Sequence, residues 1–65
     1  MGDMYRIDLS NLTISERKKV QNMLEYADEV FWDANQPYIF DVLWMDSSNI
    51  SETLKLPSKC NVKKI

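Results

Sequence analysis

The segment Tyr38-Ile39-Phe40-Asp41-Val42-Leu43-Trp44-Met45 restricts the possible folds of this chain more than any other. Tyr38, Phe40, Val42 and Trp44, at every second position, are all large and apolar, while the alternate set Ile39, Asp41, Leu43 and Met45 is broken by a carboxylate. Side chains alternate across a strand, so the unbroken set predicts a buried face, and a slip of one residue would turn that face to water. A strand from Tyr38 to Met45 with its aromatic set inward is therefore the anchor of the fold.

Other segments fall into place around it. Tyr5, Ile7 and Leu9 alternate with Met4, Arg6 and Asp8, which predicts a first strand with one buried face. Thr13-Ile14-Ser15-Glu16 is a capping box, in which the Thr13 hydroxyl and the Glu16 carboxylate each accept from the other's amide. It should open a helix from Ile14 to about Asp28, with Val20, Met23, Leu24 and Ala27 at helical spacing. Val30 to Ala34 reads as a second strand, joined to the anchor strand through Asn35-Gln36-Pro37. Asn49-Ile50-Ser51-Glu52 repeats the capping pattern for a short helix that reaches about Leu56 and is stopped by Pro57. The tail from Cys60 to Ile65 suits an edge strand, because lysines there discourage stray pairing.

The predicted class is α+β, a two-layer antiparallel sheet with one main helix and a short second one. Its order, βαββαβ, is that of a ferredoxin-like plait; without the tail strand it is a truncated βαββ. The 65 residues make a single domain, 1–65, and a chain this short hides only about 60% of the surface its unfolded form exposes. Close packing, self-association as a homodimer, or a partner must supplement so small a core.

Several chemistries are excluded. There is no histidine, and the one glycine, Gly2, lies outside any strand-to-helix turn, so histidine acid–base catalysis, phosphate-cradling loops and nucleophile elbows are ruled out. The single cysteine, Cys60, allows no intrachain disulfide and is a poor start for a zinc site; with Lys59 beside it, a lowered pKa is one expectation, but no base or resolving thiol accompanies it. Asp33 and Asp41, set across a hairpin, could in principle act as a glycosidase-like pair, but a domain of this size offers little concave volume. Asp33-Ala34-Asn35 begins like a calcium loop but lacks the later ligands. No enzyme, cofactor or metal is expected.

The opening MGDMYRID is charged at once and no apolar run approaches the roughly 18 residues a span needs, so neither a signal peptide nor a membrane partner is expected. An unpaired thiol then suits a cytoplasmic location. The basic triplet Arg17-Lys18-Lys19 reads as a solvated helix face.

With Tyr38, Phe40, Val42 and Trp44 inward, the core would also take Tyr5, Ile7 and Leu9, and Val30, Trp32 and Ala34. The opposite face of the sheet is left with Phe31, Ile39, Leu43 and Met45 beside Asp33 and Asp41, more apolar surface than a solvated sheet usually carries. Either a partner covers it or the C-terminal segment folds over it. Charge favours a partner: from Val20 to Leu54 the charged residues are Glu25, Asp28, Glu29, Asp33, Asp41, Asp46 and Glu52, all acidic.

The expected function is a non-catalytic protein-interaction module that docks an acidic, apolar face on a basic partner protein, in one version as an inhibitor or regulator that places carboxylates where phosphates normally sit, as small phage-encoded inhibitors do. Phe31, Asp33, Ile39, Asp41, Leu43 and Met45 form the predicted contact, with Glu25, Glu29 and Asp46 as peripheral charges. The alternative is an RNA- or DNA-binding plait using sheet aromatics and the Lys-rich C-terminus. It is disfavoured by the net charge of −2 and by the acids on the hairpin itself.

Overall fold

Strand alternation and two capped helices translate directly into the architecture. The computed structural model describes residues 2–65 and contains β1 (Asp3–Asp8), α1 (Ile14–Leu24), β2 (Glu29–Asp33), β3 (Gln36–Trp44), α2 (Ile50–Thr53) and β4 (Asn61–Lys64). The fold is α+β and plait-like: one four-stranded sheet in the order β2-β3-β1-β4, every neighbouring pair antiparallel.

At the centre, Ile7 pairs with Phe40 and Tyr5 with Val42. The Leu9 amide donates to the Tyr38 carbonyl at 2.8 Å, and the Ile65 amide donates to the Met4 carbonyl at 2.9 Å. Together these bonds fix the backbone alternation: the odd residues of β1 turn their amides and carbonyls toward β3, and the even residues turn theirs toward β4. The even residues of β3 therefore face β1, and its odd residues face β2.

The inward face is the predicted one. Ile7, Leu9, Val42 and Trp44 are buried with Val20 and Leu24 of α1, Ile50 of α2, and Leu12, Leu54 and Cys60 from the connections; Tyr5, Phe40 and Val62 are half-buried against them. Each fully buried aliphatic side chain contributes about 1.5–3 kcal/mol before entropy losses. The Trp44 indole N–H, which could not be buried unpaired, donates to the Ser48 carbonyl at 2.9 Å.

Both caps form. The Thr13 hydroxyl accepts from the Glu16 amide at 3.2 Å, and the Glu16 carboxylate accepts from the Thr13 amide at 2.9 Å and is held below the usual carboxylate range by that bond. Asn49 caps α2 by accepting from the Glu52 amide at 3.1 Å.

Helix α1 stops at Leu24, one turn short of Asp28. The Tyr26 and Ala27 amides reach back only three residues, to Met23 and Leu24, and this tightened turn frees Asp28 to donate its amide to the Leu43 carbonyl at 3.0 Å and start the hairpin. Helix α2 ends at Thr53, short of Leu56, where Lys55 takes a left-handed backbone (φ 53°) and the Leu56 amide returns to the Ser51 carbonyl.

The early end of α1 corrects the predicted core. Val30, Trp32 and Ala34 are exposed, although Val30 pairs with Val42 and Trp32 with Phe40 and so both lie on the inward face. All five residues of β2 are exposed, because the buried contacts end at β3.

Candidate interaction surface

The hairpin that carries the candidate residues is irregular at its tip. Asp33 and Gln36 flank a two-residue turn, Ala34-Asn35, and the Asp33 carboxylate accepts from the Asn35 amide at 2.9 Å. The turn is thus one residue earlier than Asn35-Gln36-Pro37. Trp32 pairs with Phe40 whereas Asp33 pairs with Gln36, so Pro37, Tyr38 and Ile39 are surplus on β3. Pro37 has no amide to give a ladder, which is why the pairing breaks there.

On the sheet face away from the helices, cross-strand rows sort the charges. One row runs Phe31, Asp41, Arg6, Lys63 from β2 to β4. Within it the Arg6 guanidinium grips Asp41 with two bonds, 2.9 and 3.0 Å, and holds that carboxyl below its ordinary range. Asp41 is therefore neutralised within the molecule, and the face grades from aromatic and acidic at β2 to basic at β4. The glycosidase-like pairing of Asp33 with Asp41 does not occur, since Phe31 stands opposite Asp41 and Gln36 opposite Asp33.

Phe31, Asp33, Ile39 and Asp41 do come together. With Trp32 and Gln36 they line a shallow depression of about 140 Å³. Phe31 is 52% exposed, and Ile39 is half-buried. Leu43 and Met45 lie at and just past the other end of β3, against Gly2: a Cβ there would stand 2.9 Å from Leu43 Cδ1 and from Met45 Cγ, so a larger residue would displace those two side chains. The Met45 amide donates to the Asp28 carboxylate at 2.8 Å. Glu29 is exposed at the start of β2, Glu25 is exposed at the end of α1, and Asp46 sits in the loop after β3, where the Ser48 amide bonds its carboxylate and lowers its pKa. The C-terminal segment does not cover this face; β4 pairs beside β1 within the sheet.

Sequence reasoning missed the exposed residues on the helix side of the hairpin. Trp32 is 58% exposed, Tyr38 and Val30 just over 40%, and strand parity alone placed all three in the core. Tyr38 is met by Arg17, whose guanidinium carbon lies 4.4 Å from the ring centroid. Arg17 is thus no part of a solvated face, unlike the exposed Lys18 and Lys19. Also unforeseen is an open groove of about 540 Å³ between α1 and the segment after α2, floored by Val20, Met23, Leu54 and Pro57. One helix and a segment about thirty residues further along the chain make it, so no single segment signals it.

Cys60 is buried, and burial together with nearby Asp8 pushes its thiol up to about 11. Lys59 does not activate it, and the thiol stays protonated at neutral pH. Among the described residues, no helix is long and apolar enough to cross a membrane. No known protein family, curated protein or solved structure matches the chain.

Proposed function

We propose that this protein is a non-catalytic interaction module, built on a ferredoxin-like plait, that docks its β2–β3 hairpin on a basic surface of a partner protein in the cytoplasm. The observation that carries the reading is the state of β2: Phe31 and Trp32 point to opposite faces of one strand, both more than half exposed, and the only charges on that strand are Glu29 and Asp33. Aromatic side chains anchor protein interfaces, and flanking carboxylates steer a cationic partner toward them.

The contact centres on Phe31, Asp33 and Ile39, with Glu25, Glu29 and Asp46 on its rim. Asp41 contributes through the Arg6 pair that shapes the depression, and Leu43 and Met45 extend the apolar surface beyond it. An inhibitory or regulatory role follows from occupying a surface meant for another acidic ligand.

Nucleic-acid binding is served less well. The exposed aromatics of the sheet belong to β2 and β3 while Lys63 and Lys64 belong to β4, with β1 between, so bases stacked on the sheet and phosphates would have to meet at opposite edges of it.

Capture from an extract of the source cells tests the proposal. The wild-type protein should retain a partner whose recovery falls about tenfold with Glu29→Lys/Asp33→Lys and declines with added salt. Equal recovery by the charge-reversed protein, folded by circular dichroism, would remove the hairpin from the contact.

A further inference from the structure

We infer, building on the docking reading above, that the free edge of β2 takes up an extended segment of the partner as a fifth strand, and that this segment carries basic side chains two positions either side of an apolar one.

The backbone supplies the first half of the argument. Because the odd residues of β3 face β2, Asp41 and Leu43 bond to their partners Phe31 and Glu29, and the amides and carbonyls of Val30 and Trp32 turn outward from the sheet. They are spaced as an added strand requires. The two edges of the sheet differ in how they are guarded. β4 presents Lys63 and Lys64, a common defence against stray pairing, whereas β2 holds neither lysine nor proline and keeps regular register up to Trp32.

Side chains supply the second half and select the occupant. Glu29, Phe31 and Asp33 lie on one face of β2, so an antiparallel strand would set its first, third and fifth residues against Asp33, Phe31 and Glu29. A basic, apolar, basic sequence at those places matches charge with charge and lays its central side chain beside Phe31 and the depression that Phe31 lines. A second copy of this chain fits worse. Two-fold pairing about Phe31 would bring Glu29 of each copy against Asp33 of the other, and like charges directly opposite destabilise a sheet. Nor does β4 of another copy supply the pattern, since Lys63 and Lys64 are adjacent and project to opposite faces.

A synthetic pentapeptide, acetyl-Lys-Thr-Leu-Thr-Lys-amide, is the probe, titrated to millimolar concentration against the isotopically labelled full chain. In the inferred register its two threonines stand opposite Val30 and Trp32 and its leucine opposite Phe31. Amide exchange at Val30 and Trp32 should slow at least tenfold at saturation. N-methylation of both threonine nitrogens should weaken binding at least tenfold, while N-methylation of the leucine nitrogen, which points away, should change it less than twofold. Equal binding of the threonine-methylated peptide would overturn strand addition and leave side-chain docking intact. Slowed exchange that depends on protein concentration without peptide would overturn the occupant in favour of a second copy. Absence of binding by all three peptides would overturn the edge site itself, and the charge-reversal capture then decides separately whether the hairpin docks at all.

Discussion

β1 and β2 are both short strands with alternating apolar residues, and they meet opposite fates. Ile7 of β1 has no exposed surface, whereas Trp32 of β2, the larger side chain, is 58% exposed although it also points to the helix side. The difference is position in the sheet. β1 is flanked by β3 and β4 and lies under the helices; β2 is flanked by β3 alone, beyond the reach of a helix that stops at Leu24. Hydrophobicity thus predicts burial only where a second layer exists to complete it. Apolar residues without that layer are surface, and on an edge strand they are surface with open backbone groups.

The comparison can be broken by mutation, most severely at its buried end. Ile7→Ala should cost about 2–5 kcal/mol, most of the stability expected of a domain this small, and leave the chain largely unfolded by circular dichroism. A loss below about 1 kcal/mol in denaturant titration would mean that β1 is not the centre of the core.

The second effect belongs to Cys60, on the buried side. Burial and nearby Asp8 push its thiol from an ordinary value of 9.0 up to about 11, so the folded state favours the neutral form. The associated stability is fully present below about pH 9 and is lost as pH rises toward 11, a change on the order of 2 kcal/mol. Urea unfolding at pH 7.5 and 10.5 should therefore show a smaller loss for Cys60→Ala than for the wild type. Parallel losses in both would place the thiol in contact with solvent.

Thr13→Ala, which removes one side of the capping box, should cost about 1 kcal/mol by the same assay. The cap lies on the helix that covers β1, so its loss should also speed amide exchange at Val20 and Leu24 more than at Val30. Uniform acceleration would blur the distinction between the two regions.

The smallest effect is expected at the exposed end. Trp32→Ser should change stability by no more than about 0.5 kcal/mol, in keeping with surface positions, while reducing partner recovery. A loss comparable to that of Ile7→Ala would show that β2 belongs to the core after all.

Much of this was legible in the chain itself. The parity of Phe40, Val42 and Trp44 fixed which face is buried because a strand has only two choices, and the Thr13 and Asn49 caps marked where both helices begin because capping is local. The clustering of Phe31, Asp33, Ile39 and Asp41 was also readable, since alternation on two paired strands brings them to one face. The Arg6 grip on Asp41 was not, because it joins residues 35 positions apart and depends on the register of β1 against β3.

What the sequence determined alone was therefore whatever short-range geometry dictates: strand parity, helix starts, and the chemistries its missing histidine and single glycine exclude. Tertiary structure decided how far the helical layer extends, and with it whether Val30, Trp32 and Tyr38 meet protein or water. The reason is physical: a side chain's direction is set by its own backbone, but its burial is set by a neighbouring element whose length and position are fixed elsewhere in the chain.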